Sequence, residues 1–236
     1  MTDLLYYDDA YLREFAASVA AVRDHEVRLD RTAFYPGGGG QPADQGELRW
    51  ESQTARVVSL RKDAEGVWHA VEGGIPDVGA SVQGRLDWDR RYQLMRTHTA
   101  MHVLCGVIWR QYGASVTGGN MEPLRGRMDF EFESMRQELV REIEELVNLE
   151  IRAGREVRSR ILPRQEAFRI PDLIRTKINL LPAGIEQVRV VEIVGLDLQA
   201  DGGTHVANTR EVGPMKIVDY KSKGAINKRL VVALEA

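Results

Sequence analysis

Hydrophobic positions follow two regimes along the chain. Up to residue 88 they alternate with polar ones in short runs, at Ala17–Val22, His25–Phe34, Gly46–Trp50, Ala55–Leu60, Gly66–Val71 and Ala80–Trp88. Turn signals separate these runs, among them Pro36-Gly37, Asp63–Gly66 and Gly73-Gly74. Alternation with period two marks strands that bury one face. Short strands at even spacing predict a small antiparallel barrel or sandwich.

From Leu86-Asp87-Trp88-Asp89 onward the period changes. Met95, His98, Met101/His102, Cys105 and Trp109 recur at steps of three and four, which predicts a helix over about 90–112 ended by Gly113. A second helix is expected from Met135 to Arg152, with Leu139, Val140, Ile143, Leu146 and Val147 as its apolar face. Ser134 with Gln137 reads as its capping box, and Gly154 as its stop. Strands are expected at Gly126–Glu133, Arg155–Leu162, Gln187–Gln199, Met215–Tyr220 and Arg229–Leu234, with a short helix at Gln165–Ile170. The fold class is therefore α+β, with an N-terminal β domain at 1–88 and a C-terminal α+β domain at 89–236.

Composition narrows the class. Apolar residues make up 43% and charged residues 28% of 236, the profile of an ordinary globular chain rather than a disordered or fibrous one. Cys105 is the sole cysteine, so no intramolecular disulfide framework exists. The opening MTDLLYYDDA is acidic where a leader peptide carries positive charge, and no run of about 18 apolar residues occurs. A cytoplasmic location is expected. Residues 1–88 hold 9 basic against 15 acidic side chains, and residues 89–236 hold 23 against 20. With a pI near 6, bulk nucleic-acid binding is not indicated, and any polyanion contact belongs to the second half.

Four features carry candidate chemistry. His98 and His102 lie four apart on the predicted helix, so both rings share a face and are able to share a metal ion. Two buried, hydrogen-bonded histidines are the alternative. Asp201-Gly202-Gly203-Thr204-His205 joins a carboxylate and an imidazole through a double-glycine turn, a potential second half of the site or a plain hairpin. Upstream, Asp197, Gln199 and Asp201 alternate along one strand face. Tyr35-Pro36 followed by Gly37–Gly40, Gln41 and Pro42 permits positive φ and close backbone approach, or simply flexibility. It lacks the Lys-Ser/Thr of a phosphate-binding loop. From Lys216 to Arg229 the basic residues Lys216, Lys221, Lys223, Lys228 and Arg229 face a single acid, Asp219. That is a phosphate-binding patch or a lysine-protected sheet edge. His25 and His69 have no partner pattern.

The order FYPGGGGQPADQG, RTHTAMH, ADGGTHV and KIVDYKSKGAINKR resembles the free-standing alanyl-tRNA editing proteins, the AlaX group, over nearly the whole chain. With its glycine motif and N-terminal barrel it is similar to their medium-length form, related to the editing domains of alanyl- and, more distantly, threonyl-tRNA synthetase. The resemblance implies a trans-editing hydrolase that deacylates mischarged tRNA(Ala), carrying serine or glycine, and spares Ala-tRNA(Ala). It implies one zinc ion held by His98, His102, Asp201 and His205. The family's second motif is Cys-Gly-Gly-Thr-His, and Asp201 stands at its cysteine, replacing soft sulfur by hard oxygen at constant charge. Either Asp201 ligates directly, or it stays outside a three-histidine site with an open position. The altered ligand also leaves a second reading, a non-catalytic tRNA-binding module. On the first reading Thr32, Gly37, Gly38, Gly39 and Gln41 form the catalytic pocket, with Asn120 a weaker member. Thr32 is matched to a seryl hydroxyl. Lys221, Lys223, Lys228 and Arg229 would hold the acceptor end of tRNA(Ala).

Overall fold

The computed structural model describes residues 2–176 and 184–236. The chain divides into two compact units, Met1–Gln93 and Leu94–Ala236.

In the first unit β1 (Asp3–Leu4) pairs in parallel with β4 (Arg31–Thr32). The barrel strands are β2 (Glu14–Arg23), β3 (Glu26–Leu29), β5 (Gly46–Trp50), β6 (Gln53–Asp63), β7 (Gly66–Gly73) and β8 (Ser81–Leu86). They close in the order β2-β3-β7-β6-β5-β8, every pair antiparallel. Closure leaves no open sheet edge, and the alternation seen in the sequence becomes an inside and an outside. Phe15, Val19, Leu29, Phe34, Leu48, Val57, Val71 and Val82 fill the interior. The run His25–Phe34 is two strands rather than one. The Asp30 carboxylate accepts the Ser18 and Arg31 amides at 2.8 and 2.9 Å, which interrupts the strand after Leu29.

His69 lies wholly inside this unit. Its Nδ1 meets the Val27 carbonyl at 3.0 Å and its Nε2 meets the Thr32 hydroxyl at 2.8 Å. Burial pushes its pKa down to about 4 from 6.5. The unfolded ring takes a proton near pH 6.5 and the folded ring only near pH 4. Acidification between those values therefore favours unfolding, by about 2 kcal/mol at pH 5. Urea unfolding at pH 7 and pH 5 is expected to show this loss in the wild type and a smaller one in His69→Gln.

The second unit is built on α1 (Trp88–Tyr112), whose first turn and a half belongs to the first unit. From Leu94 to Ile108 every residue except Arg96 is buried, so this is an all-round core helix rather than a one-sided amphipathic one. Strands β9 (Val116–Glu122), β10 (Arg125–Glu131), β14 (Met215–Ser222) and β15 (Asn227–Leu234) form an antiparallel sheet in the order β14-β15-β10-β9. The helix α2 (Gln137–Arg152) lies along β14: the Asn148 side chain bonds the Met215 amide and carbonyl, and Glu144 accepts the Ile217 amide at 2.6 Å. The expected cap at Ser134 is absent. Arg136 is the N-cap, in extended conformation and without a side-chain cap bond, so the helix starts too late for Ser134 to reach its amides.

A second sheet holds β11 (Val157–Pro163), β12 (Gln187–Ile193) and β13 (Asp197–Ala200) in that order, with α3 (Arg164–Ala167) after β11. The expected single strand Gln187–Gln199 is a hairpin, reversed at Gly195 with φ of 73°. Among the described residues no helix is long and apolar enough to cross a membrane.

Candidate metal centre

The helix α1 delivers two imidazoles one turn apart, and the segment after β13 delivers the other two groups. His98, His102, Asp201 and His205 each offer a ligand atom, and these atoms all lie within 4.8 Å of one another. His98 and His205 stand with ring centroids 4.2 Å apart, and His102 and His205 4.7 Å apart. Asp201 Oδ2 lies 2.9 Å from His205 Nε2, and Oδ1 lies 3.5 Å from His98 Nε2. The three histidines are more than nine-tenths buried.

The Asp-Gly-Gly turn is not a β-hairpin. Asp201 Oδ2 accepts the Gly203 amide at 2.8 Å, a local side-chain turn that aims Asp201 and His205 at one point. Arg189 fastens it from outside, donating to the carbonyls of Asp201 at 3.2 Å and Gly203 at 2.9 Å. Two rings are oriented from behind. His102 Nδ1 meets Asp197 Oδ2 at 3.1 Å, and His205 Nδ1 meets the Thr99 hydroxyl at 3.2 Å. Sequence reasoning missed Thr99 and Arg189. Asp197 and Gln199 do share a face, and Gln199 Nε2 donates to Asp197 Oδ2 at 2.6 Å.

Electrostatics suit a cation. Burial pushes the His98 pKa well below its usual value and that of His205 down to about 4, so both rings are neutral at pH 7 with a lone pair to donate. Burial also opposes charge on His102, but the hydrogen bond to Asp197 and the nearby carboxylates outweigh it and raise its pKa. Burial works against the Asp201 anion. The adjoining His98 and the His205 hydrogen bond outweigh it and hold the carboxyl well below its usual range. Three ring nitrogens and one carboxylate oxygen, two of the rings braced at the far nitrogen, match the donors and outer-shell supports of a tetrahedral zinc site.

The glycine motif is a tight turn rather than a flexible loop. Gly38 and Gln41 exchange backbone hydrogen bonds of 3.0 and 2.9 Å around Gly39 and Gly40, whose φ values of 58° and 89° make a turn open only to glycine-like residues. The Tyr35 hydroxyl donates to the Gly38 carbonyl at 3.0 Å. Gly38 and Gly39 are exposed, Gly37 is partly so, and Gln41 is buried. Thr32 is fully buried, its hydroxyl held by His69 and accepting the Phe34 amide at 3.1 Å. Asn120 is exposed on β9 and receives the Met121 amide at 2.8 Å.

The basic residues separate into two kinds. Lys221 and Lys223 are exposed at the β14–β15 turn, Lys221 pairing with Asp219 at 2.9 Å. Lys228 is 5% exposed and its ammonium holds the Gly224 and Ala225 carbonyls, shaping the turn. Arg229 grips Asp129 with two bonds of 2.7 and 2.8 Å.

Comparison with known proteins decides the family. Residues 6–90 match the family model for class II (A) tRNA synthetases, and residues 188–231 match the second additional domain of threonyl and alanyl tRNA synthetases. The chain is 38% identical over 235 residues to the alanyl-tRNA editing protein AlaX-M of Saccharolobus solfataricus, covering 98% of each. It belongs to the AlaX-M family. The AlaX-M protein of Methanosarcina barkeri is 39% identical over 242 residues and 99% of each chain. The alanine–tRNA ligase of Pyrobaculum neutrophilum is 40% identical over 221 residues, 90% of this chain but 25% of the ligase. The barrel and the α+β unit are thus an editing-type pair that the ligases carry inside a much longer polypeptide.

Proposed function

We propose that the protein is a trans-editing deacylase of mischarged tRNA(Ala), acting on Ser-tRNA(Ala), with Gly-tRNA(Ala) as a second substrate, and sparing Ala-tRNA(Ala). One observation carries this reading: His98 and His102 on one helix meet Asp201 and His205 from about a hundred residues later in a single buried cluster. That constellation, in a chain of the AlaX-M family, fits ester hydrolysis better than mere tRNA binding. Water adds across the aminoacyl ester, giving the free amino acid and the 3′-terminal hydroxyl of the tRNA.

One zinc ion per chain is assigned to the cluster, with Asp201 as a direct ligand, since its carboxylate sits among the imidazoles rather than behind them. When bound, it supplies positive charge beside the ester. The chain's own groups do the rest. His98 and His205 present neutral nitrogens, Asp197 orients the His102 ring, Asp201 balances charge, and Arg189 and Thr99 keep the turn and the His205 ring in place. The barrel's share of substrate handling is assigned to the exposed backbone of Gly37–Gly39, with Gln41 and Thr32 holding the turn and the strand that leads to it. We place the protein in the cytoplasm, where charged tRNA is its partner.

The acceptor end is assigned to the β14–β15 turn, with Lys221 and Lys223 as the phosphate contacts and Lys228 and Arg229 as its frame. Replacing both exposed lysines by glutamate is expected to raise KM for the tRNA with little change in kcat. The log KM–log salt slope should fall by roughly 2. Steady-state deacylation at several salt concentrations checks this.

Metal content tests the central assignment. Elemental analysis is expected to find about one zinc per chain. Chelation should abolish Ser-tRNA(Ala) deacylation, and added zinc should restore it. Full activity in metal-free protein would overturn the assignment.

A further inference from the structure

The helix α1 contains a glycine in its buried middle, where glycine costs about 1 kcal/mol relative to alanine. Gly106 lies one turn beyond His102. A Cβ at this position would stand 2.9 Å from Asp197 Cβ, 3.0 Å from Leu196 Cγ and 3.2 Å from the Leu196 carbonyl oxygen. The bare backbone at 106 is what lets the start of β13 settle onto α1. The residue seated there is Asp197, 4% exposed, whose Oδ2 meets His102 Nδ1 at 3.1 Å and Gln199 Nε2 at 2.6 Å. Its other oxygen has Arg175 Nε at 3.6 Å, and that guanidinium lies over the Trp109 ring at 4.6 Å.

We propose that Asp197 is a positioning residue that keeps His102 in the Nδ1–H tautomer with Nε2 turned into the cluster, and that Gly106 is the cradle that seats it. An imidazole has two nitrogens, and an acceptor on one fixes which of them is free to ligate. Neutral His102 without Asp197 has no such bias and is free to flip about χ2, presenting N–H instead of a lone pair. Gln199 turns the carboxylate oxygen toward His102. Arg175 supplies the nearby positive charge that a buried carboxylate needs. Asp197 itself stays outside the set of four ligands, since its oxygen is bound to the far side of the ring.

The inference rests on the zinc reading, so the test has one arm with metal and one without. Zinc affinity is measured by competition with a chromophoric chelator for the wild type, Asp197→Asn and Asp197→Ala, with thermal melts to confirm folding. Loss of the outer-shell partner is expected to weaken zinc 10- to 100-fold. Asn, which keeps one acceptor oxygen and the volume, should lose less than Ala. Should the alanine variant fail to fold, the isosteric asparagine decides alone, with a loss of about tenfold expected. In the second arm, the metal-free protein labelled with 15N-histidine is examined by NMR. With the ring deprotonated at alkaline pH, the His102 resonances, assigned by their absence in His102→Gln, should report Nδ1–H in the wild type and a mixture of tautomers in the Asp197 variants. Zinc affinity within twofold of wild type in both Asp197 variants would overturn the proposal, as would an Nε2–H ring in the metal-free wild type. A wild type that binds no zinc yet shows the Nδ1–H ring contradicts the metal assignment and leaves the orienting role of Asp197 standing.

Discussion

His98→Ala is expected to lose its zinc and at least about 10³-fold in Ser-tRNA(Ala) deacylation, roughly 4 kcal/mol of transition-state stabilisation. His98 is central because it faces both halves of the site. It lies one turn from His102 on α1 and within 4.2 Å, ring to ring, of His205. Its removal leaves two imidazoles and a carboxylate, and Asp201 loses one of the groups that hold it ionised. The fold should survive, because the rest of α1 is anchored along its buried length by residues such as Leu94, Met95, Leu104 and Ile108. Elemental analysis, single-turnover deacylation and a thermal melt on one preparation check the three parts separately.

Arg91→Met is expected to destabilise the protein by about 3–5 kcal/mol without touching the histidine cluster. Arg91 and Asp44 are both essentially inaccessible to solvent. The guanidinium grips both carboxylate oxygens of Asp44 and also donates to the Ala10 carbonyl at 2.9 Å. Asp44 in turn accepts the Tyr35 amide at 2.6 Å, and its own amide donates to the Tyr35 carbonyl at 3.0 Å. The pair therefore clamps the two ends of the glycine turn. Methionine fills much of the volume but strands a buried carboxylate, and that stranded charge supplies most of the cost. Urea unfolding measures the loss. Replacing both partners with apolar residues should cost less than Arg91→Met alone.

What the sequence revealed follows from how local each signal is. The barrel strands were legible because a closed sheet enforces strict alternation, as in β2 and β8. The clustering of His98, His102, Asp201 and His205 was legible because four-residue spacing on a helix and a double-glycine turn are local statements about direction. The strand β9 was not, because Thr117-Gly118-Gly119-Asn120 offers neither alternation nor apolar bulk, and its place is set by pairing with β10. Thr99 carries no mark in the sequence, since a threonine in a helix becomes a partner of His205 only once residues a hundred positions apart are brought together. Lys228 and Arg229 look like surface charge until register places them. Lys228 then sits over the turn carbonyls, and Arg229 beside Asp129, directly across the ladder.

A carboxylate, Asp201, among three imidazoles makes one assay decisive. Ser-tRNA(Ala) and Ala-tRNA(Ala) are offered to the same zinc-loaded preparation, and release of each amino acid is followed over single turnovers alongside tRNA binding. Serine is expected to be cleared while the alanyl ester survives. Tight tRNA binding with both esters left intact would contradict the hydrolase account and identify the protein as a binding module on an editing fold.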